Sequence, residues 1–555
     1  MTATAPKQPE AAVRIVALGG LGAIGRNMTT FEYQGRILIV DCGVLFPEEE
    51  QPGVDLILPD FAYLEDRWDD IDALVLTHGH EDHIGAVPYL LRSRKDIPIY
   101  GSRLTLALLE AKLREHRIKA DLREVAAGDS ATAGPFGVEF FAVTHSIPDA
   151  LAVALRVGGQ LLVHTGDFKL DQLPLDGRVT DLPGLARLGD EGIDLLLIDS
   201  TNAEVPGYLA SERDIASVLD QVFANAKGRV IVASFASHIH RVQQVLDAAA
   251  THSRRAAFVG RSMVRNMNVA RDLGYLEVPG GMLVKSDALP DLPDDQAVLV
   301  CTGSQGEPMA VLSRIANRDH AIEVGPGDTI VLASSLIPGN ENSVNRVING
   351  LIRQGAAVVH QGNANVHVSG HASAGELLTF YNILRPHNVM PVHGEWRHLW
   401  ANAALAKQTG VAEDHIVMAE NGTVIDLEAG RAAVVGQVPI GFIYVDGSSV
   451  GDITEAELKD RRILGDEGFI SIFVVVDVFQ KKVVAGPEIL QRGFGRDDEI
   501  FREIRPQLVT ALDEALSQGV EQQQQLQQIV RRTVGRWVSR SHRRRPMIVP
   551  VVVEV

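Results

Sequence analysis

Three imidazoles and two carboxylates fall within six residues in Thr77-His78-Gly79-His80-Glu81-Asp82-His83. Imidazole nitrogen and carboxylate oxygen suit zinc or a similar first-row divalent ion, and catalytic sites of this kind keep a position open for water. So many donors crowd a single tetrahedral ion, which makes two adjacent ions the better expectation. The bland alternative is a solvated, His-rich surface loop. It is disfavoured because the segment follows the apolar run Ile71-Asp72-Ala73-Leu74-Val75-Leu76, a strand rather than a charged tail.

Other strand ends carry matching chemistry. Val138 to Thr144 leads into His145, Leu161 to Gly166 into Asp167, and Val389 to Val392 into His393. Asp41 ends the strand Arg36 to Val40. His164 lies on an alternating strand and reads as a core histidine. Between Asp167 and His393 lie 225 residues, far more than a strand connection needs. A whole domain is therefore inserted there. Its pattern is strand, polar turn, helix: Val230 to Ala233 before Ser234, Ala297 to Cys301 before Thr302, and Thr329 to Ala333 before Ser334-Ser335. Repetition of that unit predicts a parallel sheet, whose polar turns gather at one ligand-binding edge.

Gly20-Leu21-Gly22-Ala23-Ile24-Gly25 imitates a dinucleotide-binding fingerprint, with Asp41 ending the next strand. That fold needs a helix between the two strands. Here Asn27 to Tyr33 is rich in strand formers and Gln34-Gly35 is a turn, so a hairpin is predicted and no nucleotide cofactor.

At 555 residues the chain exceeds one ordinary core, and two or three domains are expected. Its 46% hydrophobic and 22% charged residues are those of a soluble globular protein. No run of about twenty apolar residues exists, and Met1 to Ala12 lacks a signal-peptide core, so no membrane association is expected. Cys42 and Cys301 provide no disulfide framework, which suits a reducing, cytoplasmic compartment. A formal charge of −19 argues against indiscriminate coating of nucleic acid. It leaves RNA open as a substrate, because a local basic groove and metal ions can carry the phosphate contacts.

Residues 1–12 are expected to be disordered, 447–462 to be a linker, and 463–555 to form a small α+β domain. That domain should hold a hairpin (468–478 and 481–485), helices over 497–517 and 522–538, and a strand over 546–555. The Gln522 to Gln525 run reads as an exposed helix face, and Ile548 to Val553 as a strand buried on both faces. Arg540, His542, Arg543, Arg544 and Arg545 form a basic cluster that fits RNA contact or a solvated helix end equally well.

The H-x-H-x-D-H pattern, completed by His145, Asp167 and His393, resembles the metallo-β-lactamase superfamily. The resemblance implies an αββα sandwich and a dinuclear centre. His78, His80 and His145 would hold one ion, Asp82, His83 and His393 the other, and Asp167 would bridge them. Asp41 matches the residue that orients a ligand imidazole. The insertion resembles the β-CASP branch of nucleases: Asp199-Ser200-Thr201 matches its acidic motif, and His371 and His393 match its two histidine motifs. The similarity runs from about residue 13 to the C-terminus, and a His at position 393 accompanies RNA substrates in the branch. It implies a metallo-β-lactamase domain over 13–205 and 361–446, with the β-CASP domain over 206–360.

By this resemblance the chain is a zinc-dependent ribonuclease, with manganese or magnesium as other activating ions. It would have both 5′-to-3′ exonuclease and endonuclease activity, acting in mRNA decay and in rRNA or 5′-end maturation. Asp82 would accept the proton of the attacking water and His371 would protonate the leaving oxygen. Lys169 and Glu395, beside the ligands, would assist or form salt bridges. His367, Val368, Ser369, Gly370 and His371, with the helix start at Ala372 to Leu378, would hold a 5′-monophosphate. Ser234 would contribute from the insertion, unless it is an ordinary N-cap. A calcium ion near Gly53, Asp55 and Asp446, a homodimer or homotetramer, and RNA-decay partners are further implications. The alternatives are a DNA-acting β-CASP repair nuclease, a small-molecule metallohydrolase, and a catalytically dead scaffold.

Overall fold

A computed structural model describes residues 6–48, 50–307, 309–334, 340–495 and 498–555. The chain divides into two units: Pro47–Leu56 with Ile443–Val555 form one, and the remainder forms the other.

In the larger unit, the strand Val13–Gly19 is buried at every position, as a continuous apolar strand inside a sheet should be. It lies between Thr423–Glu428 and Met28–Tyr33 in an eight-stranded sheet that continues through Arg36–Val40, Ile71–Val75, Pro98–Gly101 and Asp121–Glu124. A second sheet has the order Asn388–Val392, Leu195–Asp199, Gln160–His164, Leu151–Val157, Phe136–Ala142, Ser130–Ala133. Ile15, Phe31 and Val40 of the first sheet meet Phe140, Val153, Leu197 and Met390 of the second in one core. The outer face of the second sheet is covered by the helices Leu182–Glu191, Ala374–Leu384 and Trp396–Gln408 through Leu185, Phe380, Tyr381 and Leu405. The helix Arg103–Glu115 packs on the first sheet. This is the expected αββα sandwich.

Met28–Tyr33 and Arg36–Val40 pair antiparallel through Tyr33 and Arg36. Gln34 and Gly35, with φ of 48° and 77°, make the tight turn that pairing requires. No helix separates the two strands, which removes the dinucleotide fold.

The inserted stretch forms a five-stranded sheet in the order Arg255–Val259, Ala297–Cys301, Val230–Ala233, Thr329–Leu332, Ala357–Val359, and each pairing is parallel. Pro308 and residues 335–339, within turns read from the sequence, lie outside the described residues.

In the smaller unit, Phe469–Asp477 pairs with Lys482–Arg492 and, in parallel, with Met547–Glu554. Ile470, Ile472, Val474 and Val476 face Leu508 and Leu512 of the helix Ile504–Ser517, and Val530 and Val534 of Gln523–His542. Two expectations are corrected. Met547–Glu554 is an edge strand with Val549 and Val553 exposed, so only one of its faces is buried. Residues 447–462 are no bare linker, because they hold the strand Ser449–Val450 and the start of the helix Glu455–Glu467. Thr454 and Glu457 cap that helix reciprocally.

Of the N-terminal residues expected to be disordered, 1–5 lie outside the described residues. Residues 6–12 are tied down: Gln8 donates to the carbonyls of Ala12 and Glu32. No described helix is long and apolar enough to cross a membrane.

Candidate metal centre

Strands of both sheets end where the polar residues after them meet. Asp41 turns out of its strand with φ of 61°. Its carboxylate accepts from the Thr77 N–H and hydroxyl, each at 2.8 Å, and from His83 Nδ1 at 2.7 Å. That contact assigns the His83 proton to Nδ1 and turns Nε2 inward. Gly43 packs against the Asp82 carbonyl so closely that a Cβ would lie 1.6 Å from the oxygen, so only glycine fits. His145 is oriented in the same way. Its Nδ1 donates to the Gly370 carbonyl at 2.6 Å, which leaves Nε2 for the centre.

His78 Nε2 and His145 Nε2 approach His80 Nδ1 to 3.0 and 3.2 Å. One proton cannot serve three nitrogens. Tetrahedral ligands at ordinary zinc–nitrogen distances sit ~3.3 Å apart, so the spacing fits donors around a cation. Two donor sets emerge, each with its atoms within 4.8 Å of one another: His78, His80, His145 and Asp167, and Asp82, His83, Asp167 and His393. Asp167 belongs to both. Its Oδ2 is 3.1 Å from His83 Nε2 and 3.7 Å from His78 Nε2, and its Oδ1 is 3.3 Å from His393 Nδ1. His393 Nε2 lies 3.3 Å from Asp82 Oδ2.

Electrostatics suit the same role. Burial, reinforced by neighbouring imidazoles, holds His78 and His145 well below the usual histidine range, and burial puts His80 at about 4. All three are neutral, with lone pairs to give. Burial pushes the Asp82 and Asp167 carboxyls up, but the imidazoles of His83 and His393 outweigh it and keep both ionised. Neutral imidazoles and ionised carboxylates are the forms that bind divalent ions. Burial lowers His83 and His393 too, but the surrounding carboxylates outweigh it, raising His83 well above its ordinary value and His393 to about 10, so an ion taken up by the second set would displace their protons.

His371 stands beside this cluster. Asp199 Oδ2 accepts from its Nδ1 at 2.8 Å, while Asp199 Oδ1 lies 3.4 Å from His393 Nδ1. Burial disfavours charge on His371, and the Asp199 carboxylate overcomes it, raising the imidazole above its ordinary value. Asp167, Asp199, His371 and His393 form a third group within ligand distance.

Of the two roles open to Lys169 and Glu395, assisting or forming salt bridges, the contacts are those of structural residues. Lys169 is buried between Asp171 and Glu212, each at 3.5 Å. Glu395 caps the helix Trp396–Gln408. His164 is buried, with Nδ1 accepting from the Gly166 N–H. Thr201, whose hydroxyl meets His393 Nδ1 at 2.8 Å, and Asn27, 3.1 Å from His83 Nε2, were missed. Thr201 had a signal in its place after Asp199-Ser200.

Ser369 Oγ accepts from the His371 N–H at 3.3 Å. His367 Nδ1 and Ser234 Oγ are buried without a hydrogen bond, and so is His238 Nε2, which lies 3.7 Å from Glu212 Oε1. The rings of His238 and His367 meet edge to face at 5.9 Å. His238, not Ser234, caps the helix Ile239–Thr251, so the N-cap alternative for Ser234 falls. The helix N-terminus after His371 is corrected as an anion site. The N–H groups of Ala374 and Gly375 donate to the carbonyls of Val205 and Gly207, and that of Ser373 donates to Glu376. Those donors are spent.

The residues Gly53, Asp55 and Asp446 do not fit a calcium ion. Arg461 donates to the Pro52 carbonyl at 3.0 Å and to Asp446 at 2.6 Å, and Asp55 accepts from the Gly447 N–H at 2.7 Å. A Cβ on Gly53 would lie 2.6 Å from the guanidinium. A tethered monocation already fills the position, and a divalent ion beside it would be repelled. Calcium should leave the thermal midpoint of the metal-loaded protein unchanged. A saturable rise would show the ion displacing Arg461.

A sandwich whose strand ends gather two overlapping donor sets, interrupted by a parallel-sheet insertion, defines a metallo-β-lactamase-fold hydrolase of the β-CASP class. The chain belongs to the ribonuclease J family, whose members are metal-dependent ribonucleases. Family models match it as a beta-lactamase superfamily domain over residues 36–215, a ribonuclease J beta-CASP domain over 227–351, a Zn-dependent metallo-hydrolase RNA specificity domain over 356–418, and a ribonuclease J C-terminal domain over 456–555. It is 53% identical over 554 residues to a ribonuclease J of Mycolicibacterium smegmatis, covering 99% of each chain. It is 44% identical to one of Thermus thermophilus, covering 98% of this chain and 96% of that one. A solved structure of a protein of unknown function from Enterococcus faecalis V583 shares the fold, with a TM-score of 0.53 and 15% identity over 75% of this chain and all of that one.

Proposed function

We propose that this chain is a two-zinc ribonuclease that removes nucleotides from a 5′-monophosphorylated RNA end and also cuts internally. The observation that carries the reading is the His371–Asp199 pair, set at 2.8 Å beside the two donor sets that share Asp167. Zinc is favoured by nitrogen-rich donors at near-tetrahedral spacing, with manganese or magnesium as activating substitutes. Such ions supply Lewis acidity, easing ionisation of a water and offsetting charge on phosphoryl oxygens. The assignment is His78, His80 and His145 to one ion, Asp82, His83 and His393 to the other, with Asp167 between.

The chain's own groups then move the protons. Asp82, kept ionised, accepts one from the attacking water. His371, kept protonated by Asp199, gives one from Nε2 to the leaving 3′ oxygen. The remaining strand begins with a new 5′-phosphate, so each product is the next substrate. Ser369, His367 and Ser234 hold that phosphate, with Val368 and Gly370 shaping the loop. Residues 13–205 with 361–446 act as the catalytic domain, 206–360 as the RNA-guiding insertion and 463–555 as the association domain. The apolar exposed face around Phe473, Leu490, Val549 and Val553 supports a homodimer or homotetramer. We assign the protein to the cytoplasm, acting with RNA-decay partners in mRNA turnover and rRNA or 5′-end maturation.

A charge-assisted hydrogen bond to phosphate contributes about 1.5–3 kcal/mol. 5′-Monophosphorylated RNA should therefore be degraded from its end to mononucleotides, and triphosphorylated RNA should be cut only internally. Ser369→Ala should slow end-directed decay more than internal cleavage on sequencing gels. Equal end-directed rates on the two 5′ ends would remove the pocket.

A further inference from the structure

The inserted domain leaves and rejoins the sandwich through two segments, and one side chain grips both. Arg241, in the first turn of Ile239–Thr251, is fully buried. Its Nη2 donates to Glu212 Oε2 at 2.7 Å on the outgoing segment, and its Nη1 donates to the Val366 carbonyl on the returning one. Its Nε donates to Gln244 Oε1 at 3.0 Å, and Gln244 Nε2 donates to the Glu212 carbonyl at 2.6 Å. Glu212 is 2% exposed and faces Lys169, two residues beyond Asp167, at 3.5 Å.

A buried guanidinium is costly to desolvate, and apolar packing at such a position is often as stable. What a fork of fixed donors adds is geometry. Val366 directly precedes His367, and the loop continues through Ser369 to Gly370, whose carbonyl orients His145. Arg241 thus joins the Asp167 side of the centre, through Lys169 and Glu212, to the loop assigned above to the 5′-phosphate. Nothing else among the described groups bonded to Glu212 also bonds the Val366 carbonyl.

We infer that Arg241 is a positioning residue: by holding both crossings it fixes the distance from the phosphate-binding loop to the metal donors, and so sets the one-nucleotide step. This rests on the 5′-phosphate reading. In Arg241→Lys the buried charge remains, but a single ammonium cannot span two divergent acceptors. The step should then blur.

The test uses full-length, metal-loaded protein with 5′-monophosphate, 5′-hydroxyl and 5′-triphosphate RNAs of one sequence, resolved by product length. In the wild type the monophosphate end should be preferred and mononucleotides released. In Arg241→Lys the ratio of end-directed to internal rates should fall by about 10²-fold, the scale of a 1 Å misplacement, and dinucleotides should appear. Metal content and thermal midpoint should stay near wild type. Glu212→Gln, which weakens the outgoing contact of Arg241 together with the Lys169 pairing, should shift product length the same way and serves if Arg241→Lys does not fold. Unchanged product length and ratio in a folded variant would overturn the proposal, as would equal loss of both activities with a lowered midpoint. A wild type without monophosphate preference would overturn the pocket itself, a failure visible without any substitution.

Discussion

Asp167→Ala should abolish RNA hydrolysis and lower bound metal while leaving the protein folded. The residue belongs to both donor sets, so its loss weakens each rather than one. Metal-assisted stabilisation of a phosphoryl transition state is worth several kcal/mol, and ~4 kcal/mol corresponds to ~10³-fold in rate. That is a lower bound where both ions are disturbed. The fold should survive because Asp167 lies beyond the end of Gln160–His164 and contributes nothing to the apolar core on either side of that strand. Metal analysis, circular dichroism and a labelled RNA assay check the three parts. Retention of full metal and substantial activity would remove Asp167 from the bridge.

His371→Ala should cut turnover by about 10²–10⁴-fold, the range for a lost general acid, with metal content near wild type. The pH profile discriminates further. Asp199 raises the folded value of His371 against the lowering by burial. A general acid works only when protonated, so the wild-type rate should fall as pH rises through that raised value. In His371→Ala this alkaline limb should disappear. Metal loss in the variant would instead make His371 a ligand, as its place in the third donor group allows.

The donors were legible because each follows an apolar strand, and strand ends of a sandwich converge by construction. His78, His145, Asp167 and His393 could be picked out without knowing how the sheets are ordered. The Gln34-Gly35 turn was equally legible, since Gly35 tolerates positive φ. What escaped has specific causes. Ser373-x-x-Glu376 is itself a capping-box signature, and it already announced that the helix N-terminus after His371 was satisfied. The apolar run Ile548 to Val553 has no period, so an edge strand and a central one look alike in it. Arg461 meets Pro52 across 409 positions, and Arg241 meets Val366 across 125. No local pattern marks either contact.

The strand Val13–Gly19 takes Thr423–Glu428 as a neighbour, and Arg14 meets Asp426 across 412 positions. During synthesis the first strand made therefore waits for nearly the last strand of its sheet, ~20–80 s at ordinary elongation rates. His393 emerges only shortly before that closing strand. A nascent chain carries six of the seven donors early, yet it lacks both the final imidazole and the strand that seals the sheet. The set of candidate donors is thus complete only when translation of the larger unit is almost finished.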